Sequence, residues 1–415
     1  MNIKNRTKEK IIIALVSVAI IIAVILVVVA MDNGGNESQT GQGAENNSGS
    51  GNNSGSSNSS GEEHYYDELF KGDIMQIRIS MSEDDTFLMW ETPSEDNYYR
   101  SDISINGISW NNVAIRVRGK KNTEQVFESG DNKYSYKLDF NEFDKKNEFY
   151  GLDGMYLYNM IEDSSYLSQY ISYKCMEKLG ATVPYYSLAK VKINDGEEQW
   201  HFVTEEYNNS FAKRITGDDG VVCLFESANE SAILSLNDSV LNYEIKYGED
   251  GELSYIGKLV EVLNNPASTE ADIEAVLNVE SVLKAVAVNF VVGNYAGYQG
   301  PDPDNFYLLY DNGVITYIEE DFVGAGGNYR KDEGYSIKVT KEMPLYDVAN
   351  EERALVTVLL GREKYYNIYE GYIKQLKEYL KSGEVLSEGK SLLGDYVNSE
   401  QYEQGEKKLL KYINR

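Results

Sequence analysis

Four side chains have the types and placement for phosphate chemistry. Asn305 opens an apolar run that Asp311-Asn312-Gly313 turns back into Val314–Ile318, and the return run leads into Glu319-Glu320-Asp321. Hairpin registry brings the Asn305 amide and the Asp321 carboxylate to one end. An Asn and an Asp so placed can hold a Mg²⁺ that bridges nucleotide phosphates. Earlier, Lys133 starts the run KYSYKLDF and Glu205 ends the run QWHFVTE, a lysine and a glutamate of the sort that position and clamp phosphates. Lysines at strand edges also serve as solvated gatekeepers, so the four residues mean little without their context.

Composition narrows the chemistry. The chain has 415 residues, with His64 and His201 as its only imidazoles and Cys175 and Cys223 as its only thiols. Neither a zinc cage nor a multi-histidine iron or copper site can be built from these, so any metal must be a hard cation on oxygen: Mg²⁺, Mn²⁺ or Ca²⁺. A Ser-His-Asp triad is equally hard to assemble, and neither a Walker lysine loop nor a dinucleotide fingerprint occurs. Lys and Arg number 39 against 67 Asp and Glu, a formal charge of -28. Such a body repels a polyanion, which excludes nucleic acid as a partner.

The elements that must position these residues are mixed. Met75, Ile77 and Ile79, then Val113, Ile115 and Val117, then Tyr134, Tyr136, Leu138 and Phe140 each alternate with polar neighbours, the signature of strands with one wet face. Leu188–Ile193 and Gln199–Thr204 flank Asn194-Asp195-Gly196 and read as a hairpin. Leu167, Ile171, Cys175 and Leu179 lie four apart behind Ser164 and Ser165, a capped amphipathic helix that stops at Gly180. Residues 281–294 are apolar all round and predict a buried helix, and residues 351–415 predict charged helices. The expected fold is α+β, with a sheet-rich first half and a helix-rich second half. Cys175 on an apolar stripe and Cys223 within VVCLF predict two buried free thiols.

Ile11 to Ala30 is an unbroken apolar run whose only polar member is Ser17. Twenty helical residues at roughly 1.5 Å each cover a hydrocarbon core of about 30 Å, so a transmembrane signal anchor is expected over residues 11–30. Lys4, Arg6, Lys8 and Lys10 precede it, which keeps residues 1–10 in the cytoplasm and places the rest outside the membrane. Its length exceeds the usual core of a cleaved signal peptide. Residues 31–63 are a linker of Gly, Ser and Asn, too poor in apolar side chains to fold, and residues 64–415 form the extracytoplasmic body.

The order and wording of RVRGKKN, KYSYKLDF, the segment from GLDGMYLYNM to WHFVTEE, and AVNFVVGNYAGYQGPDPDNFYLLYDNGVITYIEEDFVGAGG resemble the CotH kinase family, named after spore coat protein H. The resemblance covers roughly residues 72 to 380. It implies an atypical protein-kinase-like fold that uses ATP with Mg²⁺ or Mn²⁺ to phosphorylate serines on coat or surface proteins. It assigns Arg118, Lys133 and Glu205 to the nucleotide, Asn305 and Asp321 to the metal, and Asp163 to the start of the helix that follows.

Three departures bear on activity. The acid of the family's Asn-aromatic-Asp step is Ala296, after Asn294 and Tyr295. Its Trp-Asp-x-Asp motif reads Glu320-Asp321-Phe322-Val323, and the arginine of the helix after Asp163 is Ser168. An alanine cannot orient the attacking hydroxyl; Asp302 and Asp304, in the loop PDPDN, are the candidates to take its place, or else to cap that loop. An active phosphotransferase and a non-catalytic, pseudokinase-like scaffold both remain open. The 34 tyrosines, several in pairs such as Tyr98-Tyr99 and Tyr365-Tyr366, would suit the scaffold as a binding surface. If the body lies outside the cell, protease added to intact cells should release a soluble acidic fragment cut within residues 32–63; protection in intact cells with cleavage in lysates would refute this topology.

Overall fold

The computed structural model describes residues 65–413, apart from 73, 148, 162, 164, 166, 218–221, 230, 237, 302, 304, 328–338, 347 and 395–398. The expected membrane anchor and linker lie outside the described residues. Among the described residues, no helix is long and apolar enough to cross a membrane.

Alternation in the first half closes a barrel. Strands β1 (Ile74–Ser80), β2 (Tyr99–Ile105), β3 (Ile108–Arg118), β4 (Ser135–Asp139), β5 (Gly154–Tyr158), β6 (Tyr186–Ile193) and β7 (Gln199–Glu205) run in the order β1-β2-β3-β4-β5-β7-β6. The ring is sealed by parallel pairing of β1 with β6, in which Ile77 faces Val191. Every second side chain points inward, so Ile77, Ile115, Leu138, Leu157 and Val203 fill one apolar core. The seal explains why alternation alone pointed to a sheet and not to a barrel: closure is a pairing between strands more than a hundred residues apart.

The second half is a four-stranded sheet clad in helices. Strands β8 (Val222–Ser227), β9 (Tyr243–Tyr247), β10 (Phe306–Asp311) and β11 (Val314–Glu319) are ordered β11-β10-β8-β9. The β10–β11 hairpin pairs Asp311 with Val314, and Asn312 adopts the positive φ that such a turn requires. Three short helices, α1 (Glu83–Glu91), α2 (Lys120–Ser129) and α3 (Leu167–Lys178), are inserted among the barrel strands. The remainder, α4 (Asn209–Thr216), α5 (Ser254–Asn264), α6 (Glu270–Glu274), α7 (Val279–Val292), α8 (Ala354–Leu360), α9 (Glu363–Lys381), α10 (Glu384–Leu393) and α11 (Ser399–Ile413), follow the barrel. Helix α7 is buried along nearly its whole length, as its composition predicts, and packs on β11, α3 and α9. Helix α3 is capped by Asp163 together with Ser165: the Asp163 carboxylate accepts from the Ser165 and Ser168 backbone N–H groups at 3.0 and 2.8 Å, and the Ser165 hydroxyl accepts from the Leu167 N–H at 3.4 Å. Cys175 and Cys223 are buried and unpaired, as expected.

The tyrosines belong to the interior. Tyr65, Tyr134, Tyr136, Tyr173, Tyr207, Tyr298, Tyr307, Tyr365 and Tyr369 are among the largest fully buried side chains, so part of the richness in tyrosine is packing.

His201 is likewise structural. It lies in β7, fully buried, with Nε2 2.9 Å from the Tyr134 carbonyl, and burial depresses its pKa from 6.5 to about 4. The folded state thus disfavours the proton that the unfolded chain takes up below 6.5, and stability is lost as the pH falls from 6.5 toward 4. At about 1.4 kcal/mol per unit this amounts to roughly 2 kcal/mol at about pH 5. Glu319 and Glu320, raised by burial to about 8 and about 7, act with the opposite sign, so the imidazole's share is read by difference. The stability of His201→Gln should fall less than that of the parent between about pH 7 and about pH 5, measured by urea midpoints.

Candidate functional site

The barrel and the second sheet meet along a seam lined by tyrosines and charges. Alternation in β4 sends Tyr136 and Leu138 into the barrel, so Lys137 and Asp139 point out, and in β5 Tyr156 and Tyr158 do the same. Lys137 Nζ lies 2.7 Å from Glu206 Oε1 and 3.3 Å from Asp139. Burial opposes the Lys137 ammonium, but the Glu206 carboxylate beside it raises its pKa overall. Gly154 makes room for this pair, because a Cβ there would lie 2.1 Å from Glu206 Oε2. Across the seam, Lys246 Nζ approaches Glu226 Oε2 at 3.2 Å, and the Tyr307 hydroxyl donates to Glu226 Oε1 at 2.8 Å. Tyr207 and Tyr307 stack at 4.4 Å between the layers.

One ion pair bridges them. Arg118, the last residue of β3, bonds to Glu320, the first residue after β11, and its guanidinium sits 4.0 Å over the Tyr156 ring. The Tyr158 hydroxyl donates to the same Glu320 oxygen at 3.3 Å. Burial raises the Glu320 pKa to about 7, helped by Glu226 and Asp321 and opposed by Arg118.

Beside that pair lies a hydrogen-bonded frame. Helix α7 ends at Gly293, and the Asn294 side chain donates to the Asp321 carbonyl at 2.9 Å while its own oxygen accepts from the Ala296 N–H at 3.2 Å. The Asn305 side chain donates to the Ala296 carbonyl at 2.8 Å, and the Glu320 N–H donates to the Asn305 carbonyl at 3.1 Å. Asn305 and Asp321 are thus tied to one loop end, the first through its side chain and the second through its backbone carbonyl. Asp321 is raised by burial; its Oδ1 accepts from the Val323 N–H at 2.7 Å. Glu319, raised by burial to about 8 against the hydrogen bonds of Asn289 and Tyr317, supports the loop from behind.

Lys133 and Glu205 do not meet. Glu205 faces away from the seam, with its carboxylate bonded to Arg214, the Tyr65 hydroxyl at 2.9 Å and the Tyr185 N–H at 2.9 Å. Through Met155 it lies in register with Leu138, two strands across and five residues along from Lys133, so roughly 16 Å separates them along the strand direction alone at about 3.3 Å per residue. Lys133 precedes β4, and burial lowers its pKa to about 8. Asp302 and Asp304 lie outside the described residues. The buried lysine–glutamate pair of the seam is instead Lys137 with Glu206. Its signal was present in the sequence: in KYSYKLDF the outward face carries both lysines, and stepping one residue past Glu205 changes the face on which the acid falls.

Comparison with known proteins follows the same residues. Residues 115–410 match the family described as CotH kinase protein, well over half of the chain. The chain belongs to the CotH kinase family. The match starts later and runs further than the resemblance over 72 to 380 suggested, taking in α10 and most of α11. No curated protein matches. Among solved structures, the chain is similar to one from Shewanella oneidensis MR-1 described as a toxin–antitoxin system of HipA, HipB and its operator DNA. The identity is 10%, the match covers 63% of this chain and 57% of that one, and the TM-score of 0.35 is too low to carry any argument.

The CotH kinase frame offers hard oxygens. Asp321 and Asn305 suit Mg²⁺, which takes one or two protein oxygens and completes its shell with phosphate and water. Among the described residues, no three His, Cys, Asp or Glu side chains are grouped to hold a metal by themselves. The seam pair has a measurable weight. Lys137→Met leaves Glu206 buried without its hydrogen-bonded cation and should cost about 3–5 kcal/mol in urea unfolding.

Proposed function

We propose that the seam binds ATP with Mg²⁺ or Mn²⁺ and that the chain transfers the terminal phosphoryl group to a serine of a surface or spore-coat protein. On this reading residues 11–30 anchor the chain in the cell membrane, and the protein-kinase-like body works on the outer side. The observation that carries the reading is the single frame holding Asn305, Ala296 and Asp321 beside Arg118, in a chain of the CotH kinase family.

In such a site the protein mainly positions groups and compensates charge. Arg118, with Lys137 and Lys246 further along the seam, supplies positive charge for phosphate oxygens. Asp321 and Asn305 would supply oxygens for the metal, which would offset phosphate charge. The γ-phosphorus–oxygen bond breaks with ADP as leaving group, a bond to the serine Oγ forms, and the hydroxyl proton passes to a base. Position 296 offers no base, and Glu319 behind it is engaged by Asn289 and Tyr317. Asp302 and Asp304 are the candidates for that task.

Ala296 and Val323 favour a second reading, a scaffold that keeps the fold without transfer. Calorimetry and phosphoryl-transfer assays on the full chain separate the two. Asp321→Asn should weaken Mg²⁺–ATP binding at least about tenfold with little change in thermal stability, because it removes a charge whose burial is costly. In a competent site lacking only its acid, Ala296→Asp should raise transfer to a serine acceptor by about 10² to 10⁴. If the loop acids already act, the parent transfers and Asp302→Asn or Asp304→Asn abolishes it. No transfer in any variant, with partner binding unaffected by Asp321→Asn, establishes the scaffold.

A further inference from the structure

The Arg118 guanidinium has the surroundings of an anion subsite, and the chain's own carboxylate fills it. Glu320 Oε1 receives a charged donor from Arg118 and a neutral donor from the Tyr158 hydroxyl at 3.3 Å, with the Tyr156 ring 4.0 Å below the guanidinium. Two donors converging on one anionic oxygen in a buried, aromatic-walled position would serve a phosphate oxygen equally well. The three seam ion pairs are not equivalent. Lys137–Glu206 is made within the barrel and its exit strand, and Lys246–Glu226 within the second sheet, whereas Arg118–Glu320 crosses between the layers. The Glu320 main chain is held separately: its N–H donates to the Asn305 carbonyl at 3.1 Å, and its carbonyl accepts the Tyr173 hydroxyl at 2.7 Å. The side chain can therefore leave Arg118 without disturbing the frame that holds Asn305 and Asp321.

We propose that Glu320 is a resident anion in the phosphate subsite at Arg118, so that a polyphosphate enters by displacing its carboxylate and Glu320 sets the affinity of the site. The inference rests on the seam being a nucleotide site. The exchange breaks one ion pair and forms another, with no covalent change. With Glu206 and Glu226 also lining the seam, an arriving polyanion meets a carboxylate at each cation; one unit charge about 6–12 Å away at an effective dielectric of about 20 corresponds to an affinity change on the order of tenfold to hundredfold.

The test is titration calorimetry of the full chain at fixed salt with two probes, inorganic tripolyphosphate and Mg²⁺–ATP. Glu320→Gln keeps the shape and an acceptor for Tyr158; it should bind tripolyphosphate roughly tenfold to hundredfold more tightly than the parent, and adding Arg118→Met should abolish the gain. Equal or weaker binding by a cooperatively folding Glu320→Gln overturns the proposal. Should that variant fail to fold, Glu320→Asp, which withdraws the charge by one methylene, decides in its place: a gain supports displacement and no gain overturns it. A gain for tripolyphosphate with no ATP binding in any variant upholds displacement and removes the nucleotide reading. ATP binding that is the same in parent and Glu320→Gln, with no gain for tripolyphosphate, does the reverse.

Discussion

A buried charge without a partner is among the most expensive features a protein can carry, and the seam between barrel and sheet is full of buried charges. Arg118, Lys137 and Lys246 each meet a carboxylate there, and tyrosine hydroxyls take up part of the remaining acceptor capacity. This pairing constrains the rest of the molecule. Strand β3 must end where Arg118 can reach past Tyr156, β11 must deliver Glu320 to the same point, and Gly154 must lack a side chain so that Glu206 can lie flat. The tyrosines suit this interface because each combines a large apolar ring with one polar tip, filling the space between layers while donating to a carboxylate.

The loop after α7 obeys a similar logic without net charge. Asn294 bonds to both Asp321 and Ala296, and Asn305 bonds to Ala296, so three segments distant in sequence are tied by amide side chains. Gly297 is placed where a Cβ would lie 2.4 Å from Glu319 Oε1 and 2.7 Å from Asn289 Nδ2. The backbone thus approaches the carboxylate closely, and the frame is built from main-chain geometry more than from the residue at 296. The frame therefore forms with no acidic side chain at 296.

Much of this was legible in the sequence because it rests on local periodicity. Alternation located β1, β3 and β4, the Asn-Asp-Gly and Asp-Asn-Gly turns located both hairpins, and the uniform apolarity of 281–294 located the central helix, while β2, β5, β8 and β9 went unmarked. The β10–β11 registry also placed Asn305 beside the Asp321 segment. What escaped was every relation set by long-range pairing. The β1–β6 closure has no local signature, and the choice of Lys137 with Glu206 over Lys133 with Glu205 depends on which face of a strand meets a second sheet that forms much later in the chain.

The closure of the barrel also has a mechanical side. The N-terminal strand β1 is not an edge, since it is laddered to β2 on one flank and to β6 on the other. An edge strand can be peeled away one hydrogen bond at a time, but a strand gripped on both flanks and loaded along its axis must shear two ladders together. Tension entering the folded body from the residues before it would therefore be shared at once between the strand's two neighbours and the apolar core they enclose.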